Sequence, residues 1–285
     1  MRTVRILALA AASALALAAC APVDEGSDAP ASTSAAADGA LDTLTDGVLT
    51  IGTSDPAYEP WVVDNDPSSG EGFEAAVAYA VAQQLGYDAD QVEWAPVTFD
   101  QIIAPGAKSF DFAINQVSIS PERAENLDFS SSYYDTAQAV VTLEGSSVAG
   151  ATSLAELKDA KLGAMVGTTS LTVAQDAIDP STDIQVFNDN DQVKQALQAG
   201  LVDAIVVDLP TALYITAAEL DGGVLVGQLP ADDAAGADQL GLVLDKGSSL
   251  TEPVTEAVDT LREDGTLADL ESQWLTDAAG APVLQ

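Results

Sequence analysis

Apolar residues along this chain fall into two spacings that alternate. Residues 48–53 form an apolar run with the composition of a strand and end in a loop, 54–61. Phe73, Ala76, Val77, Ala80, Val81 and Leu85 recur at the three- and four-residue intervals of one helical face, with Gly86 as the stop. A strand over 92–95, a short helix over 99–103 and a strand over 111–117 follow. After the aromatic segment 129–134, an extended run over 137–143 leaves this first series. A second series repeats the scheme, with strands at 161–166, 184–187, 204–207 and 224–226 and a helix start at 167–170. Its other helices carry Val193, Ala196, Leu197 and Leu201 on one face or run over 210–218. A strand over 240–244 and two helices complete the pattern, one marked by Leu250, Val254, Ala257, Val258 and Leu261, the other over 266–275. Two such series predict an α/β fold of two lobes, each a mostly parallel sheet flanked by helices. A two-segment hinge is expected to join them near 134–139 and 235–240.

The first 45 residues do not share the pattern. Residues 1–5 are basic and 6–19 form an Ala/Leu-rich run of 14, too short for a mature membrane span and suited to a secretory leader. The junction Leu17-Ala18-Ala19-Cys20 resembles the bacterial lipobox, in which cleavage precedes a cysteine that is then acylated. An ordinary cleavage site with an incidental cysteine is the alternative. Residues 21–40 have the Ala/Ser/Asp/Pro/Gly composition of a disordered tether. The expected organisation is a signal peptide over 1–19, a lipidated tether over 20–45, a first lobe from 46–136 plus 238–279, and a second from 137–237. The protein is then extracytoplasmic, held by a lipid on Cys20 at the outer face of the cytoplasmic membrane.

Charge removes several function classes. With 45 acidic residues against 9 basic ones, the formal charge of -36 leaves no basic face to neutralise phosphates, so nucleic acid is not an expected partner. No histidine is present, which excludes histidine-based triads and His-ligated zinc, and the single cysteine excludes intrachain disulfides and thiolate metal clusters. Asn188-Asp189-Asn190-Asp191 lacks the glycine and distal glutamate of a calcium loop and reads as a helix cap. Neither GxxxxGK[ST] nor GxGxxG occurs. No metal or cofactor is expected, and the protein is read as a monomer.

The candidate chemistry sits where strands end. Ser118-Ile119-Ser120-Pro121-Glu122-Arg123 follows the 111–117 run, with Ser120 as a helix cap and Pro121 in the first helical position. Arg123 is then a cation in a first helical turn, where the helix end is itself positive. Two readings compete: a surface ion pair with Glu122, Glu125 or Asp128, or a guanidinium fork that holds a carboxylate. Asp55, Ser118, Thr168, Thr169 and Asp208 likewise follow strands, and ligands in such sheets bind beyond the strands' carboxyl ends. One guanidinium, one carboxylate and several hydroxyls suit a zwitterion. Arg123, Ser118 and the backbone N–H groups at 167–169 would take an α-carboxylate, and Asp208 would accept from an α-ammonium. Thr168, Thr169 and Asp208 serve equally as helix caps, and the two roles are compatible. Tyr58, Trp61 and Phe99 are candidate walls for a side chain or members of the core.

Residues 48–61, Gly72-Phe73-Glu74, Phe99-Asp100, 112–123, 129–134, 162–169, 200–208 and Asp264-Gly265-Thr266 through Trp274 together resemble the polar amino acid family of extracytoplasmic solute-binding proteins of ABC importers. The resemblance covers nearly all of 47–277 in order. It implies a periplasmic-binding-protein-like fold closing around an L-amino acid, with Arg123 and Thr169 on the carboxylate, Asp208 on the amine, and Tyr58 and Phe99 beside the side chain. Asp55 takes the position from which some members read a polar or cationic side chain. Two departures lie near the expected pocket: Ala76 where the family often has Asp, and Asn115 and Gln116 where it usually has small or apolar residues. The expected function is the substrate-binding lipoprotein of an amino acid importer, delivering a polar L-amino acid, a basic one among the candidates, to an ABC permease. The resemblance also implies a rival, since the same scaffold hosts dehydratases acting on prephenate-like acids, and Asp55 or Asp208 would then be the general acid. A sensing role through a partner is a third reading.

Overall fold

The computed structural model describes residues 41–230, 238–275 and 280–285; the leader, Cys20 and the tether up to residue 40 lie outside the described residues, whereas 41–45 rest on the first lobe, with Leu41 against its core and Leu44 N donating to Asp111 at 2.7 Å. The first series opens with β1 (Leu49–Thr53), α1 (Phe73–Gln84), β2 (Val92–Pro96), α2 (Phe99–Ile103), β3 (Phe112–Ala113), the single-turn α3 (Pro121–Ala124) and β4 (Leu127–Thr136). Strand β5 (Gln138–Leu143) begins the second series. It continues with β6 (Leu162–Met165), α4 (Thr169–Ile178), β7 (Gln185–Phe187), α5 (Asn190–Gln198), β8 (Ala204–Asp208), α6 (Leu209–Tyr214) and β9 (Gly223–Gln228). A return strand β10 (Asp238–Asp245) and helices α7 (Thr251–Glu263) and α8 (Thr266–Trp274) follow.

The strands form two five-stranded sheets, ordered β2-β1-β3-β10-β4 and β7-β6-β8-β5-β9. In the first, β10 alone runs against the other four strands; in the second, β5 does. The α/β, two-lobed, mostly parallel expectation therefore describes the molecule. Thr136 ends a strand of one sheet and Gln138 begins a strand of the other, so a single residue, Ala137, carries the chain across. The second expected crossing overlaps residues 231–237, which lie outside the described set.

Each lobe has its own core. Ile51, Phe73, Val77, Phe112, Leu242, Val254 and Val258 are fully enclosed in the first, where α1, α7 and α8 cover one face of the sheet. Val140, Leu162, Ala204 and Val206 occupy one side of the second sheet, and Val141, Val193, Ile205 and Ala212 the other. Trp61 belongs to the first core, fully buried, and does not wall a cavity. Its backbone carbonyl caps α1, accepting from Glu74 N at 2.9 Å. Gly72 makes this approach possible: at φ +103° a Cβ would lie 2.5 Å from that same Trp61 oxygen.

Two sequence expectations need correction. The strand expected over 111–117 is only Phe112–Ala113, because Gln116 turns the backbone to φ +46°. Leu201, placed on the buried face of a helix, is 58% exposed, since α5 ends at Gln198 and Gly200 reverses the chain. The last residues, which the expected domain bounds leave out, join the second lobe. Leu275 packs into the first core, yet Leu284 is 1% exposed in the second. There Gln228 N donates to Pro282 O at 2.7 Å, Leu284 N to Gln228 O at 2.9 Å, and Leu154 N to Gln285 O at 3.0 Å.

Candidate functional site

The carboxyl ends of β1, β3, β6 and β8 face one cavity of about 300 Å³, within the range that small-molecule sites occupy. Asp55, Tyr58, Phe99, Gln116, Ser118, Arg123, Thr168, Thr169 and Asp208, named from the sequence, all line it; Trp61, the other candidate wall, does not.

Arg123 is held from both lobes. Ser120 caps the one-turn α3, accepting from Arg123 N at 3.2 Å. Nη1 donates to Ser118 O at 2.7 Å and Nη2 to Gly167 O at 2.8 Å, while the guanidinium carbon sits 5.6 Å from the centre of the Phe99 ring. The surface ion-pair reading is overturned: Asp128 pairs with Lys246 at 3.1 Å, and no salt bridge among the described residues includes Arg123. The expected conflict with the helix dipole also lapses, because in a helix of four residues the first turn is the last. Burial lowers the Arg123 pKa, opposed by Asp238 and Glu122. Two of its five N–H donors are occupied by carbonyls, leaving three for another acceptor.

Opposite it, Thr168 caps α4: its Oγ1 accepts from Leu171 N at 3.3 Å and donates to Met165 O at 2.8 Å. The N–H groups of Thr169 and Ser170 precede the first intrahelical bond and add donors at the same end of the cavity. Thr169 Oγ1 is a junction between lobes. It lies 3.0 Å from Ser118 Oγ and donates to Asp238 Oδ2 at 2.8 Å, an oxygen that also accepts from Gln138 Nε2 at 2.8 Å. Asp238 and Gln138 have no motif around them; only the antiparallel return of β10 brings Asp238 here.

Asp208 ends β8 and caps α6, accepting from Thr211 N at 3.0 Å and Thr211 Oγ1 at 2.9 Å. Burial pushes its carboxyl up to about 6 despite these bonds. Thr211 Oγ1 in turn accepts from Trp61 Nε1 of the other lobe at 2.8 Å. Asp55 stands on the loop after β1, where Asn65 Nδ2 donates to it at 3.0 Å. Tyr58, on the same loop, lies near Asp189, Asp191 and Glu219; burial first and these acids second raise its hydroxyl pKa. Asp189 caps α5 as expected, accepting from Gln192 N at 2.8 Å, and also lines the cavity.

The sequence reading missed what lies under Gln116. Glu74 is fully buried in the first turn of α1, and its carboxylate accepts from Gln116 N at 2.7 Å, from Gln116 Nε2 and from the Tyr133 hydroxyl. Burial drives its carboxyl up to about 7, and the three donors hold it back.

Comparison with known proteins places the chain. The chain is 30% identical over 231 residues to the L-cystine-binding protein TcyJ of Escherichia coli (strain K12), covering 80% of this chain and 82% of that protein. Among solved structures it is similar to an ancestral arginine-binding protein bound to arginine, at TM-score 0.68 and 29% identity over 81% of this chain and 99% of that one. It is also similar to the substrate binding protein of an amino acid ABC transporter, at TM-score 0.65 and 27% identity over 80% and 99%. Residues 49–277 match the family description throughout, and the chain belongs to the bacterial extracellular solute-binding proteins, family 3.

Proposed function

We propose that this protein captures a polar L-amino acid between its lobes and delivers it to an ABC permease, anchored outside the cytoplasmic membrane by a lipid on Cys20. The observation that carries the reading is Arg123, clamped by Ser118 O and Gly167 O with three donors left at a cavity wall. An α-carboxylate fits between that fork and the first N–H groups of α4. Asp208, at the other side, accepts from the α-ammonium. Ser118 and Thr169 fix the two lobes' edges against each other, Thr168 shapes the helix start, Gln116 and Asp55 meet the side chain, and Tyr58 and Phe99 flank it. Amino acid binding by the relatives supports this assignment, and their cystine and arginine ligands favour a side chain with a polar or cationic end.

The test is to strip bound ligand by unfolding and refolding, then to screen all amino acids, ornithine and cystine by thermal shift. A ligand at 100 times its dissociation constant adds about 2.7 kcal/mol to stability. Absence of a shift with every compound overturns the reading. We further propose that the protein is not an enzyme, and turnover of a prephenate-like acid by the purified chain is the result that would reverse this.

A further inference from the structure

Glu74 is a fully buried carboxylate with no cation against it among the described residues. Such a group is costly to enclose, and its partners are therefore informative. Two of its three hydrogen bonds go to one residue, Gln116, through the backbone N at 2.7 Å and through the side-chain amide. Gln116 has φ +46°, a left-handed conformation that a residue with a Cβ adopts only under constraint. Glu74 supplies that constraint from below while Gln116 lines the cavity above.

The chemistry of the pair fixes the amide's direction. Both Glu74 oxygens act as acceptors, one from Gln116 N and the Tyr133 hydroxyl and the other from the Gln116 amide, so the amide turns its NH₂ toward Glu74, which sends its carbonyl Oε1 the other way. No described side chain or backbone group donates to Gln116 Oε1. We propose that Glu74 is a positioning residue that turns the Gln116 carbonyl into the cavity, so that the site selects amino acids whose side-chain end donates hydrogen bonds. The inference rests on the amino acid reading above. Asp55, Asp100 and Asp189 add acceptors to the same lining, while Arg123 is the cationic residue in it.

The test compares two ligands of one shape: L-arginine, whose guanidinium only donates, and L-citrulline, whose ureido group offers a carbonyl instead. Affinities are measured by calorimetry for the wild-type chain, Glu74→Gln, Gln116→Gly and the double variant. Glycine suits the left-handed backbone at this position. In Glu74→Gln the new carbonyl stays on Gln116 N and the Tyr133 hydroxyl and its NH₂ meets the Gln116 amide, so Gln116 reverses to face it and presents NH₂ to the cavity. The expected result is that Glu74→Gln lowers the preference for arginine over citrulline at least fivefold in the wild-type background and less than twofold in the Gln116→Gly background. That difference isolates the amide from the loss of negative charge, which both backgrounds share. An equal change in both backgrounds overturns the inference, because Glu74 then acts through its field or through packing alone. Gln116→Gly by itself lowers the preference at least fivefold, and an unchanged ratio there overturns the inference even where Glu74→Gln does not fold. Wild-type protein that binds arginine no better than citrulline, while another amino acid binds, overturns it too. Failure of every amino acid to bind defeats the amino acid reading instead.

Discussion

Arg123 is fastened at both terminal nitrogens, to Ser118 O in its own lobe and to Gly167 O in the other. A lysine in its place has one ammonium and cannot bridge both carbonyls while offering a fork. Arg123→Lys is therefore expected to weaken amino acid binding at least tenfold, about 1.4 kcal/mol, by calorimetry. Glu74 makes a different prediction. Its carboxyl is raised to about 7 by burial, so between its ordinary value near 4.5 and 7 the folded protein holds a proton the unfolded chain has lost. Stability falls as pH rises through that window, by roughly 3 kcal/mol at most for this one group. The melting temperature of Glu74→Gln should fall less than that of the wild type between those pH values. The two residues also differ in legibility. Arg123 stood out because a rare cation followed a strand and a serine cap in a very acidic chain. Glu74 looked like any first-turn acid of an amphipathic helix, and nothing local announces that Tyr133, 59 residues later, closes over it.

At the level of elements, periodicity located most helices and strands within a residue or two. The Phe99–Ile103 helix appears as read, with Thr98 capping it. One exception is the segment after β3, where the run 111–117 promised a longer strand. Hydrophobicity there reports burial beneath the cavity rather than pairing: past Ala113 the chain leaves the ladder and meets its neighbour again only at Ser118, which bridges Leu240. Element ends carry much of the site, and caps and site residues coincide at Thr168, Asp189 and Asp208. Thr168→Ala removes the bond to Leu171 N and is expected to cost about 1 kcal/mol in urea unfolding, with Thr168→Ser restoring most of it. An unaffected unfolding midpoint would show that α4 does not depend on this cap.

At the scale of the whole molecule, the loop after β1 meets α6 of the other lobe twice. Trp61 Nε1 reaches Thr211, and the Tyr214 hydroxyl donates to Glu59 at 2.7 Å, with its pKa pushed up to about 12 chiefly by that bond. Tyr214→Phe keeps the ring and removes a bond made only when the lobes meet. It should weaken ligand binding about fivefold, in line with a net hydrogen bond of about 1 kcal/mol, and an unchanged dissociation constant would exclude the contact from closure.

The last segment of the chain sets a further limit on how such lobes can part. Leu275 is seated in one core and Ala281 packs against the other, with Leu284 buried just beyond it. Six residue steps reach at most about 20 Å when fully extended. The C-terminal segment is thus a leash of known length: any separation of its two anchor points beyond that reach must unseat Leu275 or Ala281. Shortening the leash by a residue or two between these anchors restricts the widest excursion the molecule can make, and unseating it by Leu284→Asp releases that restriction. The distance distribution between spin labels on the two lobes reads both changes directly, with the ligand-free protein narrowed by the first and broadened by the second.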